Sequence, residues 1–147
     1  MPYTTATLAE VHRINTVVPL SIPHSPSSET ALNGYTIPAG TNILMNLWSV
    51  HMNPQLFPEP DNFNPDRFLD QDGNFVKHEE LIPFSVGPRV CLGEQLAKME
   101  GFLLFVYLMQ RFTFKLPEGA TNLSTVGTMT ALVNAPRPYD LCAVPRQ

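Results

Sequence analysis

The sequence predicts a fold of helices and short β-hairpins joined by proline-rich loops. Two segments have helical character, residues 4–14 and 93–111, and β-forming residues flank turn signals elsewhere in the chain. Proline accounts for 15 of 147 residues, about twice its ~5% average usage, while charged residues make up 15% against a typical ~25%. The chain is therefore too apolar for a disordered protein and too rich in proline for a plain helical or sandwich fold. Its length is that of one domain.

The first two elements follow from local spacing. Residues 4–14 place Leu8, Val11 and Ile14 three residues apart, which predicts a short helix. Residues 17–23 contain β-branched residues and two prolines. Because proline has no backbone N–H to donate to a sheet, this segment is predicted to be an extended edge segment.

The next segment reads as a hairpin followed by a short helix. Asn33-Gly34 and Ala39-Gly40 supply turn residues between β-formers over residues 32–44. Residues 48–52 then predict a short helix. From residue 53 to residue 89 the chain has six prolines and keeps no helical or strand period. A loop of this length is uncommon in a compact domain unless it is functional or held by something larger.

A long helix and a strand-rich tail complete the chain. Residues 93–111 are helical in composition, amphipathic in their first half and apolar all round in their second half. The second half should therefore be enclosed by other elements. The tail, residues 112–147, alternates apolar and polar residues well enough to predict strand hairpins.

Charge and targeting signals narrow the class of protein. The net charge of -4 and the absence of Lys/Arg runs argue against a nucleic-acid-binding protein. Two cysteines cannot build a disulfide framework, which favours a reduced, intracellular setting. The start of the chain lacks the pattern of a signal peptide. The longest apolar run, residues 102–109, is far shorter than the ~20 residues that a membrane-spanning helix needs.

The most informative segment is a glycine-rich loop around Cys91. The start of a helix and its free N–H groups favour the thiolate, which is the form of cysteine that binds metal. Gly87 permits a backbone conformation that a side chain would forbid, and Gly93 would let a large flat group lie close to the main chain. Arg89 would bring a cation to its rim. These features together predict a planar, carboxylate-bearing metal cofactor, namely haem. Cys142 lacks such surroundings and is predicted to be a small buried apolar residue.

This loop resembles the haem-binding signature of the cytochrome P450 haem-thiolate monooxygenases. Phe84, Gly87, Arg89, Cys91 and Gly93 fill its pattern, Phe-x-x-Gly-x-Arg-x-Cys-x-Gly, which should arise by chance in roughly one in ten thousand such chains or fewer. The resemblance implies a mainly α fold with small β-sheets, haem b as cofactor and Cys91 as the axial iron ligand. It also implies insertion of one oxygen atom into a lipophilic substrate, with electrons from an NADPH-cytochrome reductase and with cytochrome b5 as a second partner.

Two further motifs resemble the same family. Glu10-x-x-Arg13 matches its Glu-x-x-Arg helix, and residues 63–68 match the arginine motif of its proline-rich meander. Glu10 and Arg13 lie on one helix face, and such an exposed pair contributes only ~0.2–0.5 kcal/mol. Taken alone they form a solvated face. If Arg67 joins them, a partly buried charge network ties the meander to the helix.

The four histidines have different expected roles. The resemblance implies that His24 contacts a haem propionate beside Arg89, the alternative being a half-exposed loop histidine. His51 has only a local structural role, and His12 and His78 are expected at the surface. A zinc site is disfavoured because no pair of ligands has C-x-x-C or H-x-x-x-H spacing.

The resemblance also implies where substrate and reductase bind. Two apolar segments correspond to the walls of the distal substrate pocket, and the alternative for both is ordinary core strand and turn. Lys98 is a candidate for the basic surface that receives the reductase, although a lone lysine is usually only solvated. The pocket candidates are Val17, Val18, Leu20, Ile22, Thr128 and Met129.

The resemblance covers essentially the whole chain and is strongest to the fatty-acid-hydroxylating U subfamily of the vertebrate microsomal second family. We expect the C-terminal third of a single domain, without the oxygen-activating helix, the membrane anchor and the helices that cover the apolar half of residues 93–111. No catalytic residue is therefore expected in this chain. The expected segments are the Glu-x-x-Arg helix (1–15), β segments and a short helix (16–52), the meander (53–83), the haem-binding loop (84–93), the long helix (94–111) and the C-terminal β segment (112–147).

Two functional alternatives follow. In the first, the chain belongs to a full-length monooxygenase on the cytosolic face of the endoplasmic reticulum membrane. In the second, it is a truncated, non-catalytic fragment or isoform that binds haem or a partner without turnover. The 147 residues alone are expected to show no monooxygenase turnover.

Overall fold

The fold was determined as a computed structural model, which describes residues 1–146. It contains three α-helices, two short 3₁₀ turns and six short strands within this range. Gln147, the last residue of the predicted C-terminal β segment, lies outside the described residues. The elements are α1 (Pro2–Ile14), β1 (Thr30–Leu32), β2 (Tyr35–Ile37), α2 (Leu47–His51), the 3₁₀ turns Pro65–Phe68 and Gly87–Arg89, α3 (Glu94–Arg111), β3 (Phe112–Lys115), β4 (Thr128–Thr130), β5 (Val133–Ala135) and β6 (Cys142–Pro145).

One face of helix α1 is buried in the interior of the structure. It begins at Pro2, where a fixed φ suits the first helical turn and the missing N–H has no intrahelical partner to lose. Its buried residues, Ala6, Ala9, Glu10 and Arg13, recur at the spacing of a single helix face. Two of the four carry charge, so the helix brings a carboxylate and a guanidinium into the interior together with alanine.

Helices α2 and α3 differ in how they are covered. Asn46 caps α2, because its side chain accepts the N–H of Ser49 at 3.1 Å. No residue of α3 is buried by the described residues; Leu103 and Leu104, in its apolar half, are 60% and 62% exposed. Residues 1–146 do not supply the elements expected around this half. None of the described helices is both long and apolar enough to cross a membrane.

The strands form three separate antiparallel pairs, β1 with β2, β3 with β6 and β4 with β5. Asn33 and Gly34 join β1 to β2 with φ of 50° and 84°. Two successive positive φ values define the hairpin turn that Asn-Gly favours. The hairpin covers residues 30–37 rather than the predicted 32–44. The next part of the chain returns to pair as a single bridge between His24 and Ile43.

The prediction of an extended edge segment at residues 17–23 is wrong. The chain turns here instead, with the N–H of Ser21 donating to the carbonyl of Val18 at 3.1 Å. Ser21 has a φ of 58°, which bends the backbone away from a strand. The carbonyl of Pro19 accepts the N–H of Trp48, so the segment is held by α2 rather than by a sheet edge.

The interior of the structure is small and unusually polar. Its apolar cluster consists of Ala6 and Ala9 of α1 packed against Phe57 and Phe68 of the meander. The two rings lie 6.4 Å apart between centroids. The largest fully buried side chains also include those of Glu10, Arg13, Thr16 and His51. The meander is therefore attached to α1 by two aromatic rings and by a buried polar network.

The Phe68→Ala substitution tests this attachment. Because the Phe68 side chain is fully buried, we expect its removal to lower the free energy of unfolding by about 3–5 kcal/mol. Phe63→Ala is the matched control, since it removes the same side chain from the same segment at a position that is 52% exposed. Denaturant unfolding followed by circular dichroism measures both. Equal losses in the two variants would show that Phe68 does not anchor the meander.

Candidate haem-binding site

The loop that carries Cys91 is closed by its own backbone. The N–H of Cys91 donates to the carbonyl of Phe84 at 2.9 Å, which joins the two ends of the loop. Gly87 has a φ of 79° and Ser85 a φ of 66°, and the latter conformation is rare for a residue with a side chain. The N–H of Val90 returns to the carbonyl of Gly87 at 3.1 Å. This closed loop leaves Cys91 exposed as a free thiol.

Cys91 also contacts the start of α3. Its carbonyl accepts the N–H of Glu94, the first helical residue, at 3.3 Å. Gly93 caps the helix without a side chain. A Cβ at Gly93 would lie 3.9 Å from the sulfur of Cys91, so anything larger than a methyl group would take up space beside that sulfur. The sulfur is thus accessible to a large ligand.

An open cavity of about 820 Å³ lies against this sulfur. Arg89 and His24 line the same cavity, and backbone hydrogen bonds of 3.0 and 2.7 Å to Ile43 hold His24 in place. The remaining wall is mainly apolar and includes Val17, Val18, Ile22, Leu47, Val90 and Leu92. An accessible thiol, an apolar wall and two nitrogen-bearing side chains suit a flat apolar group that carries carboxylates. The residues present therefore fit haem.

The structure divides the predicted pocket residues. Val17, Val18 and Ile22 line the cavity beside Cys91, whereas Leu20 does not. Thr128 and Met129 lie in β4 and do not line it either. They are connected to it indirectly. Their partner strand β5 donates the N–H of Asn134 to the carbonyl of Val17 at 2.7 Å, and the Asn134 side chain donates to Asn15 at 2.9 Å.

Glu10 and Arg13 form a two-pronged ion pair inside the structure. The Nε and Nη2 of Arg13 donate to the two carboxylate oxygens of Glu10 at 2.7 and 2.8 Å, and both side chains are fully buried. The N–H of Asn64 gives the carboxylate a third bond, at 2.9 Å. The alternative of a solvated helix face does not hold for this pair.

The two arginines bind the carbonyls of the meander. Arg67 joins the pair through its Nε, 3.2 Å from Oε1 of Glu10, and also donates to the carbonyl of Pro58 at 3.0 Å. Arg13 donates to the carbonyl of Pro60 at 2.8 Å. Because the meander has no sheet ladder, these guanidinium groups supply the donors that its backbone otherwise lacks. The structure thus brings Glu10, Arg13 and Arg67 together.

His51 belongs to this network, and sequence reasoning assigned it only a local role. Its ring is fully buried, with Nδ1 2.7 Å from the hydroxyl of Thr16 and Nε2 accepting the N–H of Ile82 at 3.0 Å. The Thr16 hydroxyl donates to the carbonyl of Arg13, so it accepts from Nδ1–H. Both ring nitrogens are therefore occupied in the neutral form. Burial lowers the pKa of His51 to about 4, with smaller contributions from Arg13 and His12.

The prediction that His12 and His78 lie at the surface is only partly confirmed, because both are half-buried. His12 packs edge-on against Phe84, with centroids 5.4 Å apart, and its pKa is lowered by burial and then by the charge of Lys98. His78 packs against Phe68, and its Nε2 lies 2.9 Å from the carbonyl of Arg67. The His12 ring thus joins α1 to the cysteine loop, and the His78 ring packs within the meander.

Lys98 and Cys142 both lie at the surface of the described residues. Lys98 is 46% exposed at its side chain, pairs with Glu94 and lies 5.6 Å above the ring of Phe84. The prediction that Cys142 is buried is wrong, because residues 1–146 leave the β3–β6 pair uncovered and Cys142 is exposed in β6. Within residues 1–146, no three His, Cys, Asp or Glu side chains converge to hold a metal ion.

Comparison with known proteins decides the family. The family model described as Cytochrome P450 matches residues 1–143. The chain belongs to the cytochrome P450 family. Members of this cytochrome P450 family bind haem b, which agrees with the cofactor predicted from the loop. Small antiparallel sheets among helices are consistent with the cytochrome P450 fold.

Individual relatives confirm the predicted type. Cytochrome P450 2U1 of Bos taurus is 56% identical over 141 residues, which are 96% of this chain and 26% of the relative. The Homo sapiens protein of the same name is 55% identical over the same shares. Cytochrome P450 2D6 of Homo sapiens is 47% identical over 99% of the chain and 29% of the relative. The chain thus spans about a quarter of the length of these curated relatives, and its similarity agrees with the second family and its U subfamily.

The lowered pKa of His51 predicts a pH dependence of stability. The folded state disfavours the charged ring, so the unfolded state binds more protons between pH 6.5 and about 4. We expect the free energy of unfolding to fall by on the order of 3 kcal/mol as pH drops through this window. The pKa of Asp70 is lowered from 3.8, chiefly by the backbone N–H of Asn74, so Asp70 reduces the free energy of unfolding only as the pH falls through its ordinary pKa, at the acid end of this window.

Urea unfolding at several pH values measures this effect, with His51→Gln as the comparison because glutamine does not titrate. The variant should lose much less stability than the wild type between pH 6.5 and 4. Parallel pH profiles of the two proteins would contradict the assignment to His51.

Proposed function

We propose that the protein containing these residues is a haem-thiolate monooxygenase in which the Cys91 thiolate would hold the haem iron. The observation that carries the proposal is the exposed thiol, presented by a closed loop to a cavity that Arg89 and His24 also line. When bound, a thiolate-ligated haem supplies cleavage of the O–O bond of dioxygen and insertion of one oxygen atom into an unactivated C–H or C=C bond.

The chain's own residues bind and orient the cofactor in this proposal. The side chains of Arg89 and His24 would pair with its carboxylates, since a guanidinium and an imidazole can both donate to carboxylate oxygens. Gly93 keeps the space beside the sulfur free of side-chain atoms. Val17, Val18 and Ile22 form part of the apolar wall of the cavity. Phe84 and Gly87 shape the loop that holds the thiol in place.

The buried charge network has a supporting role. Glu10, Arg13 and Arg67 hold the meander against α1, and the meander leads directly into the cysteine loop. We propose that the network keeps this loop in the conformation that accepts haem. The proposal rests on the full burial of Glu10 and Arg13, because a buried pair that loses one partner leaves an uncompensated charge.

Substrate, partners and location follow from the resemblance. We propose a lipophilic substrate of the long-chain fatty-acid class, which the apolar cavity wall supports. NADPH-cytochrome reductase and cytochrome b5 are the proposed electron donors, with Lys98 as one docking charge, since it remains 46% exposed. The proposed location of the whole protein is the cytosolic face of the endoplasmic reticulum membrane.

The segment assignment is part of the same proposal. We propose that the chain forms the C-terminal part of one cytochrome P450 domain, with the meander at residues 53–83 and the haem-binding loop at residues 84–93. The two 3₁₀ turns, Pro65–Phe68 and Gly87–Arg89, fall inside these two segments. The identity of 55–56% to the 2U1 relatives over 96% of the chain supports this placement.

The Cys91→Ala substitution tests the ligand. In the haem-loaded protein, the carbon monoxide difference spectrum of the reduced wild type should show a thiolate-type Soret band, and Cys91→Ala should abolish it. Cys142→Ala is the matched control, because it removes the other free thiol from an exposed strand without contact to the cavity. A thiolate-type band that survives in Cys91→Ala would remove this residue from the iron.

The Arg13→Ala and Arg67→Ala substitutions test the network. Each leaves the Glu10 carboxylate short of partners, so we expect a loss of about 3–5 kcal/mol in stability and failure to incorporate haem. Arg111→Ala is the control, since Arg111 lies over Tyr107 on the exposed surface of α3. Haem content per polypeptide is the measurement. Normal haem loading in either network variant would exclude the proposed role.

A further inference from the structure

We infer that His51 is a positioning residue for Cys91, acting through the hydrogen bond that its Nε2 accepts from the backbone N–H of Ile82 at the entrance to the cysteine loop. The inference rests on the proposed function, since it concerns how the chain places the thiol. His51 does not line the cavity beside the sulfur and touches none of the loop residues 84–93 through a hydrogen bond.

The hydrogen bond between His51 and Ile82 uses the last backbone N–H before the cysteine loop. Ile82 is followed by Pro83, which has no N–H, and then by Phe84. The N–H of Ile82 is therefore the last backbone donor before the loop. The His51 ring accepts it across 31 residues of sequence at 3.0 Å. This places a fixed point at the entrance to the segment that ends in the thiol.

Backbone hydrogen bonds continue from this point to the sulfur-bearing residue. The carbonyl of Ile82 accepts the N–H of Ser85 at 3.0 Å, and the carbonyl of Phe84 accepts the N–H of Cys91 at 2.9 Å. Ser85 has the rare φ of 66° between these two bonds. A displacement of Ile82 would therefore act on a turn that is already strained.

The other side of the ring is fixed by the buried network. Nδ1–H donates to the hydroxyl of Thr16, which donates to the carbonyl of Arg13, while Arg13 itself donates to the carbonyl of His51 at 2.9 Å. The imidazole thus links the Glu10–Arg13 pair to the cysteine loop. Arg13 and Arg67 bind carbonyls within the meander, and His51 binds the N–H of Ile82 at its C-terminal end.

The bonds to Thr16 and Ile82 require a side chain at position 51 that carries one donor and one acceptor, separated by about the width of an imidazole ring, and no charge. Neutral imidazole meets this requirement. The amide oxygen of glutamine reaches the place of Nε2 and keeps the acceptor for Ile82. The shorter amide of asparagine reaches only the place of Nδ1, so it keeps the bond to Thr16 and leaves the Ile82 N–H without its partner. These two variants therefore separate the contact with the loop from the contact with the network.

The experiment compares His51→Asn with His51→Gln in the haem-loaded protein. The measured quantity is the ratio of thiolate-type to thiol-type Soret bands in the reduced carbon monoxide complex at pH 7. We expect His51→Asn to lower this ratio about tenfold, as loss of one buried hydrogen bond predicts, and His51→Gln to stay within about twofold of the wild type. Phe63→Ala, which removes a ring that is 52% exposed from the same segment, should keep the wild-type ratio.

Amide hydrogen exchange in the peptide around Ile82 is the second measurement. It applies even to a variant that binds no haem. Exchange at Ile82 should be slow in the wild type and in His51→Gln, and about tenfold faster in His51→Asn at a pH where all three are folded. Equal protection of Ile82 in all three proteins would overturn the inference.

The outcomes also separate this inference from the proposed function. If Cys91→Ala loses the thiolate-type band while His51→Asn keeps the wild-type ratio, the ligand assignment stands and the role of His51 is wrong. If His51→Gln behaves like His51→Asn, the acceptor role of Nε2 is wrong. If Cys91→Ala keeps the thiolate-type band, the ligand assignment fails and the positioning role fails with it.

Discussion

The carboxylate of Glu10 is the constraint on which the rest of the structure depends. A carboxylate removed from water is tolerated only when opposite charges and hydrogen-bond donors surround it. Here it receives the fork of Arg13, the Nε of Arg67 and the N–H of Asn64. Arg13 lies on its own helix, whereas Arg67 and Asn64 come from the meander. Satisfying one buried charge therefore joins a long irregular segment to α1.

This constraint explains how a segment without regular structure keeps one shape. Strands satisfy their backbone carbonyls through a ladder, but residues 53–83 have no ladder. The carbonyls of Pro58 and Pro60 accept from the guanidinium groups of Arg67 and Arg13 instead. Apolar packing against α1 is limited to a few side chains, so geometry of the charge network, rather than a large core, determines where the meander lies.

The same network determines the state of His51 and so reaches the cysteine loop. A protonated imidazole would carry a second positive charge beside Arg13, and its Nε2 would present a proton to the N–H of Ile82. Both effects favour the neutral ring, in agreement with its low pKa. The loop after Ile82 contains two residues with positive φ, Ser85 and Gly87, and then leads into α3. A series of hydrogen bonds thus connects the buried carboxylate of Glu10 to the loop that carries the exposed thiol of Cys91.

The sequence by itself determined the features that depend on neighbouring residues. The spacing around Cys91 predicted the family and its cofactor, Asn33-Gly34 predicted a hairpin turn, and periodicity predicted helices close to α1 and α3. A turn or a helix face is decided within a few residues, so residue types and their spacing record it.

Only the tertiary structure decided the features that depend on contacts between distant segments. Residues 17–23 turn rather than extend because their carbonyls meet α2 and β5, and His51 is buried because Thr16 and Ile82 approach it from opposite directions. Cys142 is exposed because the described residues place nothing over its strand. Hydrogen bonds across tens of residues leave no periodic pattern in a sequence. Their partners are set by how the segments pack.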